Sequence, residues 1–308
     1  MKKSDRIYIA GHTGLVGSAL LAKLKKAGYR NLIFRPKGTL DLRKEDAVKD
    51  FFARQNLDYV FLAAGLSGGI LANIKYPRRL FNENMKIIWN VVNCALNTGV
   101  KKLLYLGCSC MYPRNCPQPI REEYLLKGPL EPTNEMFALA KLAGLRLCQE
   151  YNRQRKTKFI CCIAENLFGP NDKFGPEWGH VIPALIERFH SAKIKHKDKV
   201  AVWGSGKPVR GFMYIEDAAD ALIFLMKNYD SREAVNIGSG SGISIKQLAK
   251  LIGVIVGFKG KIVFDTTKPD GMPRKSLSIR RFSGLGWRPK FDIEEGIRRT
   301  YRWYLRCR

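Results

Sequence analysis

No stretch of this chain approaches ~20 uninterrupted apolar residues, so no helical membrane span is expected. The opening Met1-Lys2-Lys3-Ser4-Asp5-Arg6 places no apolar signal region before the strand-like Ile7-Tyr8-Ile9-Ala10; a cytoplasmic rather than secreted protein is expected. Acidic residues are scarce: 27 Asp and Glu stand against 54 Lys and Arg, a net charge of +27 over 308 residues. Such an excess raises nucleic-acid binding as a reading. The basic residues are spread along the chain, however, and no helix-turn-helix, zinc-finger or RNA-recognition signature accompanies them, so no specific nucleic-acid partner is expected. An anionic nucleotide substrate, or a basic host proteome, accounts for the charge more simply.

The eight cysteines form no Cys-x-x-Cys pair, which weakens zinc and redox-disulfide readings; no metal is expected. Cys108/Cys110 and Cys161/Cys162 are the only close sets, and the spacing reads as reduced core cysteines of a cytosolic protein. Internal repeats and low-complexity tails are also missing. What is present is 45% apolar residues, enough for a normal core, in a length that suits a large α/β domain with a smaller lobe.

Short β-rich runs alternate with helical ones in the first half. Strands are predicted at Ile7–Ala10, Asn31–Phe34, Tyr59–Ala63, Lys102–Leu106 and Lys158–Ala164, and helices at Leu15–Ala27, Lys44–Arg54, Phe81–Thr98 and Phe137–Arg153. Strands separated by helices of this length argue for a parallel sheet covered on both faces. Beyond Asn166 the pattern is less regular, with helices predicted at Val181–His190, Ser244–Val256 and Ile293–Leu305 and a strand at Lys261–Phe264.

Gly11-His12-Thr13-Gly14-Leu15-Val16-Gly17 follows the first strand directly and opens a helix. Glycines there allow a tight turn and close approach to a pyrophosphate seated at the positive helix N-terminus, so Gly11, Thr13, Gly14, Leu15, Val16 and Gly17 are candidate dinucleotide contacts. The second strand ends in Arg35-Pro36-Lys37 rather than in an acid that would bind a ribose 2′-hydroxyl. Arg35 and Lys37 favour the 2′-phosphate of NADP.

The chain resembles the GDP-L-fucose synthase family of extended short-chain dehydrogenase/reductases over essentially its whole length. The resemblance rests on Gly11–Gly17, Gly68-Gly69-Ile70-Leu71-Ala72-Asn73, Ser109-Cys110-Met111-Tyr112-Pro113, Gly128–Glu135, Asn166–Asp172, His180–Leu185, Val202-Trp203-Gly204-Ser205-Gly206 and Lys268–Lys275. It implies a Rossmann-type doubly wound sheet with a smaller C-terminal α/β lobe. Residues 1–165, with returns from 210–245, would hold NADP(H), and residues 166–308 mainly a GDP-linked keto sugar. It further implies that Asp41-Leu42 sits beside adenine and that Ala63-Ala64-Gly65 lines the cofactor. Cys110 and His180 would exchange protons at C3 and C5 of the sugar before hydride reduces C4; inversion needs a base on one face and an acid on the other, and thiol and imidazole titrate near working pH. Ser109, Asn166, Val181, Arg188, Trp203, Arg210 and Lys275 would meet the substrate, with the two guanidiniums at the diphosphate. A homodimer through the helices at 81–98 and 137–153 is also implied.

Two members of the family's reductive Ser-Tyr-Lys set are missing. Lys141 remains, but the Tyr expected four residues before it is Phe137, and the Ser expected four residues before Tyr112 is Cys108. Phe has no ionisable proton, and a thiol is a weaker donor than a hydroxyl. Ser109 is adjacent, but strand alternation directs it to the other face. Three readings follow: an engineered Tyr-to-Phe change, a natural epimerase/reductase that epimerises but reduces poorly, or a non-catalytic binder of NADP and GDP-sugar. Ala164-Glu165-Asn166 also departs from the family's Pro-Thr-Asn, bringing a carboxylate near cofactor or substrate, and Gly65-Leu66-Ser67 lacks an expected basic residue.

Overall fold

A computed structural model describes residues 1–307. Strand β1 (Ile7–Ala10) enters helix α1 (Leu15–Lys26). There follow β2 (Leu32–Ile33), α2 (Glu45–Gln55), β3 (Tyr59–Leu62), α3 (Ile70–Lys75), α4 (Pro77–Asn97), β4 (Lys102–Cys108), α5 (Glu135–Arg155) and β5 (Phe159–Ala164). The second half comprises β6 (Asn166–Phe168), α6 (Val181–Ile194), β7 (Lys199–Trp203), β8 (Val209–Arg210), β9 (Phe212–Tyr214), α7 (Ile215–Asn228), β10 (Val235–Ile237), β11 (Ile243–Ser244), α8 (Ile245–Val256), β12 (Lys261–Asp265), β13 (Arg274–Lys275), α9 (Arg280–Gly284) and α10 (Ile293–Arg306).

Six strands form one parallel sheet in the order β10-β5-β4-β3-β1-β2. Both of its faces are buried, which is why β5 reads as an unbroken apolar run, Phe-Ile-Cys-Cys-Ile-Ala, with every residue inside. Alternation along β1 divides the core. Ile7 and Ile9 join Leu20 and Leu24 of α1 on one face, while Tyr8 and Ala10 join Val48 and Phe52 of α2 on the other. Helices α1 and α7 pack together, and α4 packs along α5. Strand β10 reaches the sheet only after the chain has visited the lobe, where β7 pairs with β12 and α6 packs on α8.

Differences from the sequence reading have local causes. Helix α4 starts at Pro77 rather than Phe81, since proline is preset for the first helical turn and lacks only an N–H that would go unused. Helix α7 was not anticipated from sequence; nine of its 14 residues are buried, and its less buried positions Glu216, Asp220, Phe224 and Lys227 follow one another at helical spacing. Helix α6 runs to Ile194, four residues beyond the predicted end.

The strand order reverses beside β1: the chain leaves it for β2 on one side and returns to β3 on the other. In open α/β sheets the crevice at the carboxyl end of such a switch point is where ligands bind.

Candidate active site

A cavity of about 850 Å³ opens at that crevice and continues between the sheet and the lobe. The loops after β1, β3, β4 and β5 form its floor, and α6, β8 and the loop preceding β13 form its far wall. Of the residues singled out from sequence, all but Gly17 face this one cavity: Gly11, Thr13, Gly14, Leu15, Val16, Arg35, Asp41, Leu42, Ala63, Ala64, Gly65, Cys108, Ser109, Cys110, Phe137, Lys141, Asn166, His180, Val181, Arg188, Trp203, Arg210 and Lys275.

At the dinucleotide end, Gly14 caps α1 in an extended conformation with no side-chain cap, and the first turn contains no acid while Lys23, Lys25 and Lys26 occupy the last. The first N–H groups of α1 and its dipole are thereby left for an anion. Gly11 adopts φ 88° and a Cβ there would stand 2.7 Å from Ala64 Cα, so only glycine lets this loop lie against the end of β3. Gly17 is behind the loop rather than in the cavity: its Cβ would stand 2.1 Å from the Gly11 carbonyl oxygen. It packs against the loop from behind. Gly17→Ala is expected to lower stability by roughly 1–3 kcal/mol through overpacking, measured by denaturant unfolding, and to weaken NADP binding in parallel; unchanged values for both would refute this packing role.

Arg35 and Lys37 line the adenosine end together with Arg43, which sequence reasoning missed. Arg43 forms ion pairs with Asp41 at 2.6 Å and Glu83 at 3.1 Å, and its hydrogen bonds hold the Asp41 carboxyl down near 2. The adjoining loop lacks a basic residue of its own, yet Lys173 Nζ donates to the Ser67 carbonyl at 2.9 Å. The cavity holds eight of the 54 basic residues — Arg35, Lys37, Arg43, Lys141, Lys173, Arg188, Arg210 and Lys275 — so an anionic ligand accounts for only part of the charge.

At the centre, Lys141 is buried on α5, donates from Nζ to the Leu106 carbonyl at 3.0 Å and lies 5.2 Å from the Tyr105 ring centroid. Burial pushes its pKa down. Phe137, one turn earlier, turns its ring to the same cavity, where no phenol oxygen stands. Cys108 closes β4, and residues 109–111 make a single 3₁₀ turn. That turn ends the strand alternation. Ser109, expected on the opposite face, is buried at the cavity instead, and the Cys108 and Cys110 Sγ atoms come within 2.9 Å. The contact from Cys110, with Lys141 and Lys275 nearby, pulls the Cys108 thiol down to about 7, while the same contact and burial push Cys110 up.

On the lobe side, His180 precedes the first turn of α6, and its Nδ1 lies 3.5 Å from Oδ1 of the buried Asp172. In sequence Asp172 is only the last residue of the Asn166–Asp172 motif; nothing there links it to a residue eight positions on across a loop. Arg188 donates to the Ala201 carbonyl at 2.5 Å, and its guanidinium lies 5.8 Å from the Trp203 ring centroid. Arg210 donates to the carbonyls of Val209 and Asp270 at 2.9 and 3.3 Å, and desolvation brings its pKa to about 10. Desolvation also lowers Lys275. Asn166 donates to the Gly211 carbonyl at 2.7 Å.

Glu165, the carboxylate that replaces a family Thr, lies at the cavity wall but points inward. It accepts from Ser239 N–H at 2.9 Å, Ser239 Oγ at 3.2 Å and Leu277 N–H at 3.0 Å, tying β5 to the lobe. Burial raises its pKa from 4.5 to about 7. Because the folded-state value is the higher one, the folded protein holds the proton more tightly. The associated stability is fully present below pH 4.5 and is lost as pH rises through 7. Glu165→Gln is expected to flatten the stability–pH curve over that window, read by denaturant titration; parallel curves for both proteins would refute it.

Residues 7–238 match the NAD dependent epimerase/dehydratase family. The chain is 48% identical over 304 residues to GDP-L-fucose synthase 1 of Arabidopsis thaliana, covering 99% of this chain and 94% of that protein. It is 44% identical over 310 residues to the GDP-L-fucose synthase of Escherichia coli, covering 98% and 97%. It superposes with a TM-score of 0.92 on the GDP-L-fucose synthetase of Naegleria fowleri bound to NADP, at 33% identity and 99% and 94% coverage. The glycine loop at the switch point, the lysine on α5 and this similarity along the whole chain place the protein in the NAD dependent epimerase/dehydratase family, among its GDP-L-fucose synthases.

Proposed function

We propose that this enzyme is an NADP-dependent 3,5-epimerase/4-reductase of a GDP-linked 4-keto-6-deoxy sugar, with the reductive half slowed by Phe137 and Cys108. The observation that carries the reading is one continuous cavity in which a dinucleotide cradle, a dithiol, an imidazole and Arg188 and Arg210 face each other. The α1 N-terminus takes the pyrophosphate, and Arg35 and Lys37 take the 2′-phosphate of NADP. Asp41 and Leu42, with Ala63, Ala64 and Gly65, flank the nucleoside. Bound there, NADPH supplies hydride to C4 of the sugar. The lobe, residues 166–307, holds the GDP-sugar: Arg188 and Arg210 face its diphosphate, Trp203 offers a ring face, and Asn166, Ser109, Val181 and Lys275 bound the sugar.

The ketone acidifies the hydrogens at C3 and C5, so a base can remove each as the enolate forms and an acid on the opposite face can return it. Cys110 retains its proton because its pKa is pushed up, which suits it to donation; His180, lining the same cavity from the lobe, serves as the base. Asp172 lies behind the imidazole, its Oδ1 3.5 Å from Nδ1, so the Nδ1–H tautomer with Nε2 free to accept is the favoured form. Asp172→Asn is expected to lower proton exchange by roughly 10–100-fold, the order of cost seen when an imidazole loses its orienting carboxylate, while leaving NADP affinity as it is; exchange at the parental rate, or an equal loss of NADP binding, would refute the orienting role.

Phe137 and Cys108 favour a second reading of the same site, exchange without reduction. No phenol protonates the C4 oxygen, and a Cys108 that ionises readily adds negative charge where an alkoxide must form. The chain pairs as a homodimer through α4 and α5, on which Trp89 and Leu139 are 51% and 39% exposed. Eight free cysteines suit a reducing cytoplasm. Incubation with GDP-4-keto-6-deoxymannose and NADPH is expected to convert the substrate to 3,5-epimerised sugar, with NADPH consumed slowly and NADH more slowly still. A substrate recovered unchanged at both carbons and at C4 would refute the reading.

A further inference from the structure

Two thiols at positions i and i+2 of an extended chain share a face but stand roughly 6–7 Å apart. Here the 3₁₀ turn at 109–111 folds the second back, and the 2.9 Å between Cys108 and Cys110 Sγ is well inside an ordinary contact of two sulfur atoms. Both open into the cavity, Cys108 being half-buried and Cys110 buried. Lys141 and Lys275 lie close enough to both thiols to favour a thiolate. A second close pair, Cys148 with Cys161, is sealed in the core at 0% and 2% exposure and does not line this cavity. The molecule thus holds two thiol pairs, of which one is reachable by a small oxidant.

We propose that Cys108 and Cys110 are a covalent modification site at which a hydroperoxide entering the active-site cavity closes an intramolecular disulfide. The Cys108 thiolate attacks one peroxide oxygen; an S–O bond forms, the O–O bond breaks, and the departing hydroxide takes the Cys110 proton and leaves as water. The Cys110 thiolate then attacks the Cys108 sulfur; the S–S bond forms, the S–O bond breaks, and the second hydroxide leaves as water with a proton from solvent, matching the one Cys108 first released. The pair gives up two electrons and one hydrogen peroxide becomes two waters. A neighbouring sulfur at 2.9 Å captures the sulfenic acid before further oxidation.

One consequence rests on the function proposed above: the disulfide removes the Cys110 proton and stops exchange at C3 and C5 until a dithiol reductant restores it.

The test treats the reduced full-length protein with a small excess of hydrogen peroxide and follows intact mass and peptide maps. The expected product is a monomer lighter by two hydrogens with a 108–110 link, reversed by dithiothreitol and formed at least tenfold more slowly when NADP and GDP fill the cavity. Cys110→Ser should stop at a sulfenic acid on Cys108 that dimedone captures, and Cys148→Ser should leave the link unaffected. A 108–110 pair still reduced while Cys307 oxidises, a link between 148 and 161 instead, or equal rates with and without the nucleotides would each overturn the site. A linked protein that still exchanges substrate protons would overturn the role given to Cys110 while the modification site stands.

Discussion

Phe137→Tyr combined with Cys108→Ser is expected to accelerate NADPH oxidation by roughly 10²–10⁴-fold, the range that a positioned general acid contributes. The site is ready to receive the phenol. Phe137 stands one helical turn before Lys141 and faces the same cavity. Lys141 is anchored to the Leu106 carbonyl, and an ammonium beside a phenol lowers its pKa toward the operating range. The serine change removes the group that ionises most readily at the cavity centre and replaces it with a hydroxyl donor. Stopped-flow absorbance of NADPH with the 4-keto sugar reads the effect. The single Phe137→Tyr change should recover most of the gain, because it alone supplies the missing proton. If the double variant reduces no faster than the parent, the barrier lies elsewhere in the site and the weight placed on residue 137 is misplaced.

The opposite expectation holds for Cys110→Ala. Proton exchange at the sugar carbons should fall by roughly 10²–10⁴-fold, while NADP affinity stays as it was, since the dinucleotide cradle lies on β1, β2 and β3 and Cys110 on the turn after β4. Isothermal calorimetry with NADP and mass analysis of substrate recovered from D₂O separate the two quantities. Cys110 is not replaced functionally by Cys108: the contact between them pushes their pKa values apart, leaving one thiol protonated and the other prone to ionise. Alanine at 110 removes the protonated partner. Exchange that persists at the parental rate would assign the proton to another group.

The sheet was legible because its physics is local. β1, β3 and β5 are apolar runs of strand length, the glycine loop fixes the first strand-to-helix turn, and the intervening helices carry clear periodicity. The cavity residues were legible as types, through motifs that match a known family. What sequence could not give was pairing across distance. Asp172 behind His180, Arg43 between Asp41 and Glu83, and Lys173 reaching Ser67 depend on loops whose course only packing determines. Two placements differ from the sequence reading for a related reason. Gly17 shares the motif's glycines but lies behind the loop, where a Cβ would meet the Gly11 carbonyl, and does not line the cavity. Ser109 was assigned to the wrong face because strand alternation was carried one residue past the end of β4. Glu165 shows the converse limit: a carboxylate in a cavity wall suggests a ligand contact, yet three hydrogen bonds direct it inward, to Ser239 and Leu277.

The most direct test compares two rates in one experiment, with the unaltered protein in D₂O, GDP-4-keto-6-deoxymannose and NADPH. Deuterium should enter at C3 and C5 many turnovers before each hydride is transferred to C4, and exchange should proceed even when NADPH is replaced by NADP. Hydride transfer as fast as exchange would show that a competent acid serves C4 despite Phe137; neither deuterium uptake nor NADPH oxidation would contradict the account entirely.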